Sequence, residues 1–107
     1  MKRGPEPARH QCPEIDEAAL AAARTADKLV AAATARGSQR WADFLAPVPE
    51  QLRDAGVGEL GKVALRARAA YGPKDSIREV LPAELTEPFL DQLDRLRKTL
   101  ARELAER

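Results

Sequence analysis

From Ile15 to Ala33 the apolar residues Ile15, Ala19, Ala22, Ala26, Leu29 and Ala33 recur at intervals of 4-3-4-3-4. That spacing keeps every one of them on a single face of an α-helix. Ala23 and Val30 widen the stripe. Because most of it is alanine, the face buries little area per residue and lets another helix approach to about 8 Å. Such a rod needs a partner bearing large side chains. The chain supplies one near its other end, where Phe89, Leu93, Leu96, Leu100 and Leu104 repeat every three or four residues. Each stripe is about 30 Å long at 1.5 Å per residue. Large side chains on one rod fill the room left by small ones on the other.

Composition closes the alternatives. Hydrophobic residues are 44% of the chain, but Ala and Leu dominate them. The aromatic residues are Trp41, Phe44, Tyr71 and Phe89, and β-branched residues are few. A sheet draws on β-branched and aromatic side chains, whereas Ala, Leu, Arg and Glu favour helix. The expectation is an all-α fold, a small irregular helical bundle of five or six helices. Two are long, about 14–36 and 87–105, packed together with short helices between. At 107 residues the chain is one domain's worth. Residues 1–12, with Lys2, Arg3 and Arg9 among Gly4, Pro5 and Pro7, read as a flexible basic N-terminal arm. Residues 13–107 read as a single helical domain.

Local signals set the boundaries. Pro13 suits a first helical turn, Glu14, Asp16 and Glu17 complement a helix N-terminus, and Gly37 ends the helix. Ser38 is placed to cap a short helix carrying Trp41, Phe44 and Leu45. Pro47 and Pro49 break it, and Pro49 opens a segment that Gly56 closes. A helix is predicted over Val57–Tyr71, with Leu60, Val63, Ala64, Ala67 and Tyr71 on its main stripe. Leu65 falls outside that stripe, with Gly61 and Ala69 on its own side. Residues 74–81 read as a two-turn helix, with Ser76 and Glu79 at capping-box spacing and Ile77 and Val80 for packing. Thr86 is expected to cap the last helix, with Pro88 in its first turn. Asp91 with Arg95 and Asp94 with Lys98 are i,i+4 pairs that mark its wet face.

Gly56, Gly58 and Gly61 spell G-x-G-x-x-G, and Gly56 to Lys62 spells G-x-x-x-x-G-K. A dinucleotide fingerprint must leave a strand inside a βαβ unit. A phosphate-binding P-loop places Ser or Thr after the lysine, and here Val63 stands there. The glycines therefore read as a helix stop followed by close packing, and no cofactor is expected. One use survives that reading: the helix start near Lys62 could hold a phosphate or carboxylate.

Other chemistry has little support. His10 and Cys12 are two ligands in an arm, short of the four that a structural zinc site takes. His10 has no nucleophile or acid at recognisable spacing, so no catalytic residue, no metal site and no enzyme are expected. Cys12 is the only cysteine, which excludes an intrachain disulfide and points to a reducing, cytoplasmic compartment. The first residues lack the apolar core of a secretory signal, and no run is long enough to span a membrane. Helix faces of mixed charge argue against membrane binding. Arginine in excess of lysine, with abundant alanine, is the bias of a GC-rich bacterial genome.

The remaining candidate surface is Lys62, Leu65, Arg66, Arg68, Lys74 and Arg78. From Leu60 to Arg78 there are five basic residues and one acid, Asp75. Two helices joined through Gly72 and Pro73 would form a helix-turn-helix-like elbow over residues 62–78. The net charge of +1 gives little electrostatic footprint for nucleic acid. The leading expectation is a non-enzymatic protein–protein interaction or regulatory protein of the adaptor type, whose partner is another protein or a second copy. Leu65 and Leu90, off or at the edge of their stripes, would serve that partner. The alternative is a small nucleic-acid-binding regulator that uses the elbow.

Overall fold

The structure is a computed structural model that describes residues 6–105. Among these residues there are five α-helices and no strand: α1 (Pro13–Ala35), α2 (Gln39–Leu45), α3 (Val48–Asp54), α4 (Val57–Arg68) and α5 (Ala83–Ala105). Short 3-10 turns span Arg9–Gln11, Ala69–Tyr71 and Ile77–Glu79.

The helices alternate in direction. Arg53 of α3 pairs with Asp27 of α1, while Ala55, just past α3, lies level with Asp16 through Arg9. Arg68 of α4 meets Asp94 of α5, while Tyr71 meets Thr86. Arg102 near the end of α5 pairs with Glu14 at the start of α1. The result is an up-down-up-down ring of α1, α3, α4 and α5. Its second position is divided between α2 and α3 because Pro47 and Pro49 interrupt a continuous helix.

The expected partnership of the two long helices is the main packing of the molecule. Ile15, Ala19, Ala22, Ala23, Ala26, Leu29 and Ala33 of α1 are fully buried, as are Phe89, Leu93 and Leu96 of α5. Leu104, the last member of the leucine stripe, passes the start of α1 and stays 38% exposed. Gly37 ends α1 as anticipated. It adopts φ 72°, its N–H donates to Thr34 O at 3.1 Å, and the Ser38 N–H donates to Ala33 O at 2.9 Å. Both bonds belong to a Schellman stop.

Four local expectations are corrected. The helix after Gly56 ends at Arg68, and Ala69–Tyr71 tightens into a 3-10 turn before Gly72. Ser38 stands at the N-cap of α2, but only its carbonyl caps, accepting from the Ala42 N–H at 2.9 Å. Residues 74–81 hold one 3-10 turn and no two-turn helix. Asp75, at φ 54°, leaves the right-handed region just before it, and Ser76 Oγ accepts from the N–H of Arg78 rather than Glu79. Ile77 is buried while Val80 is 40% exposed, so only the first packs. Finally, α5 starts at Ala83, so Thr86 is no cap. The Pro82 carbonyl accepts from the N–H groups of Leu85 and Thr86, both at 3.0 Å, and Thr86 is buried. Pro88 thus lies inside the second turn.

Candidate functional site

The outer side of α4 is built by its own periodicity. Val57, Leu60, Val63, Ala64 and Ala67 turn inward. Gly58, Gly61, Leu65 and Ala69 recur on the opposite side at spacings of 3-4-4 and are exposed. Leu65 stands 56% exposed at the centre of this strip, the most exposed large hydrophobic residue described. A Cβ built on Gly61 would meet nothing within 4 Å, so the helix backbone there is open to approach.

The basic candidates divide into two sets. Lys62 lies 3.8 Å from Glu59 Oε2, and Arg66 Nη1 is 3.4 Å from Gln51 Oε1; both are exposed and loosely held. Lys74 is exposed beyond the Gly72–Pro73 turn. Arg68 and Arg78 are engaged by α5. Arg68 Nε donates to Asp94 Oδ1 at 2.8 Å. Arg78 grips Glu87 with both Nε and Nη2 at 2.8 Å, and its guanidinium lies 5.3 Å from the centre of the Tyr71 ring. The structure therefore gathers Lys62, Leu65 and Arg66 on one surface and turns Arg68 and Arg78 toward a row of acids. That row is Glu87, Asp91 and Asp94, at i, i+4 and i+7 along α5. The expected pairing of Asp94 with Lys98 is replaced by the bond across the helices.

Around Tyr71 the chemistry is structural. Its hydroxyl donates to the Thr86 carbonyl, and the Thr86 hydroxyl donates to Glu87 Oε2 at 3.0 Å. Burial, reinforced by the Glu87 charge, pushes the Tyr71 hydroxyl well above its usual range. The bidentate bond from Arg78 holds the Glu87 carboxyl below the ordinary carboxylate range, against the opposing pull of desolvation.

The glycine motif does hold an anion, and it is the chain's own. Gly56 stands at the N-cap of α4, and the Gly58 N–H donates to Glu6 Oε1 at 2.7 Å. A Cβ on Gly56 would lie 2.9 Å from Glu6 Oε1, and one on Gly58 would lie 2.6 Å from Oε2. The two missing side chains make the cradle in which the carboxylate sits. Arg9 adds a second anchor, with Nη1 donating to Ala55 O at 2.7 Å and Nε to Asp16 Oδ1 at 2.8 Å. Residues 1–5 of the expected arm, Lys2 and Arg3 included, lie outside the described residues; residues 6–12 run against α1, α3 and α4. Sequence reasoning left Arg9 in a flexible basic arm and gave Glu6 no role, because nothing local to residues 6–12 tells where their charges land.

A groove of about 360 Å³ opens between α1 and α5, lined by Glu14, Glu17, Gln92, Arg95, Lys98 and Arg102. Its charges face each other, and Arg102 pairs with Glu14 across it. Among the described residues no group of three or more His, Cys, Asp and Glu side chains gathers at metal-binding distance. No described helix is long and apolar enough to cross a membrane. Comparison with protein-family models, with curated proteins and with solved structures finds no match for this chain.

Proposed function

We propose that this protein is a non-enzymatic interaction protein, an adaptor or regulator that meets a partner protein through the outer face of α4. The observation that carries this reading is Leu65, 56% exposed on the side of α4 opposite the core and flanked by Gly58, Gly61 and Ala69. An apolar knob on a floor of small residues suits a helix laid close against it. Lys62 and Arg66 border the strip and favour a partner with acidic flanks.

Leu65→Glu tests the reading. The side chain is exposed, so the variant should keep its helical circular dichroism, with stability within about 0.5 kcal/mol of the parent. In affinity capture from the native host, a partner retained by the parent and by Leu104→Glu should be lost from Leu65→Glu. Equal retention by both variants would remove α4 as the interface. The same preparations serve the alternative. Binding to DNA or RNA that weakens steeply with salt and disappears in the double variant Lys62→Ala and Arg66→Ala would favour a nucleic-acid-binding regulator instead.

A further inference from the structure

We propose that the groove between α1 and α5 binds a free amino acid, a small zwitterion whose carboxylate is taken by α5 and whose ammonium is taken by α1. The groove exists because two lining residues are small: Ala18 of α1 carries only a methyl group, and Thr99 of α5 is buried. Its walls have opposite sign. Here α1 presents Glu14 and Glu17, while α5 presents Arg95, Lys98 and Arg102 at i, i+3 and i+7. The two helices run antiparallel, so Glu14 and Arg102 meet at one end and close it with an ion pair.

Further along, the opposite charges do not meet. Among the described residues Glu17, Arg95 and Lys98 form no ion pair. Asp94, which stands four residues before Lys98, is instead held by Arg68 of α4 at 2.8 Å. Two cations and one carboxylate are left to line a space of about 360 Å³. That volume falls within the range of small-molecule sites, about 300–1,000 Å³. A further polar group is unmet: Gln92 Oε1, away from the Glu14–Arg102 end, is shut off from solvent and accepts no hydrogen bond among the described residues. An anion alone would meet Arg95 and Lys98 but bring its charge toward Glu17, and a cation alone would do the reverse. A molecule carrying both charges meets both walls with charge-assisted bonds. The half-buried Gln92 amide, turned toward the groove, accepts from a donor on the same molecule. The site is separate from the outer face of α4 and stands whether or not that face docks a partner.

Titration of the full chain with each proteinogenic amino acid, followed by backbone amide chemical shifts, tests the assignment. At least one amino acid should bind with a dissociation constant of about 1 mM or tighter, shifting amides of α1 and α5 around the groove. Its N-acetyl derivative, which lacks the ammonium, and its carboxamide, which lacks the carboxylate, should each bind roughly ten-fold more weakly. Glu17→Gln and Lys98→Gln should weaken binding of the amino acid by a similar factor. Arg97→Ala, exposed on the same helix but outside the groove, should leave it unchanged. All three substitutions lie at exposed positions, and unaltered circular dichroism verifies each fold. Absence of binding across the whole set at that affinity would overturn the assignment. So would equal binding of the N-acetyl derivative, which leaves only an anion site, or binding that neither Glu17→Gln nor Lys98→Gln weakens.

Discussion

Tyr71 shows how much one residue organises at the start of α5. Its hydroxyl bonds the Thr86 carbonyl inside a helix turn, and its ring carries the Arg78 guanidinium that clasps Glu87. Burial favours the neutral phenol, so its stabilising share is complete below the ordinary value of 10.0 and is lost as pH rises through the raised folded value. Tyr71 is the only tyrosine. Ultraviolet titration of the native protein should therefore show phenolate only at pH well above 10.0, and titration in denaturant should restore the ordinary value. Tyr71→Phe should cost about 1 kcal/mol, read from urea unfolding. Pro88 is the opposite case. It sits exposed inside α5 and leaves the Glu84 carbonyl without its helical donor. Pro88→Ala should raise stability, by up to about 3 kcal/mol. The sequence pointed to the proline but not to its place in the second turn, because Pro82 caps α5 with a backbone carbonyl that no residue pattern announces.

Between elements, the alanine face of α1 against the leucine face of α5 is the contact that periodicity alone makes legible. Each stripe has one inward direction, and volume matching selects the partner. Ala22→Leu should overpack this seam and cost about 1–3 kcal/mol, whereas Leu96→Ala should open a cavity and cost about 2–5 kcal/mol. The charged clasps were not legible. Asp94 has Lys98 four residues away, yet it bonds Arg68 of α4, because two elements brought side by side offer a fixed partner that a frayed helix face does not. For the same reason the elbow at 62–78 reads from sequence as a free basic surface, whereas Arg68 and Arg78 meet α5. These clasps impose a pH dependence. The bidentate bond from Arg78 lowers Glu87 from its ordinary 4.5, and the bond from Arg53 lowers Asp27 from 3.8. A carboxyl lowered on folding contributes stability that is complete above its unfolded value and lost as pH falls through the folded one. Melting temperature should therefore decline from about pH 5 to pH 2, and Arg78→Ala should flatten the decline.

At the scale of the whole molecule, 48 Å long and 25 by 22 Å across, alternating helix directions sort the side chains by end. Trp41, Phe44, Tyr71 and Phe89 collect where α1 finishes and α5 begins, and the 3.8 Å pair of Arg40 with Asp75 ties α2 to the turn there. Trp41 packs edge-on to Phe44, with ring centres 5.6 Å apart. At the other end lie Cys12, Glu6, Arg9 and the start of α4. The Leu65 strip runs between the two ends along the exposed side of α4. Leu65→Glu should therefore alter association while leaving the unfolding midpoint nearly unmoved, a separation that equilibrium denaturation beside light scattering would measure.

Since the single indole and the single thiol occupy opposite poles, the chain carries its own pair of reporters. Heating watched by tryptophan emission and by sulfhydryl chemistry would record melting from each pole separately. A lag between the two signals would mark the pole that frays first.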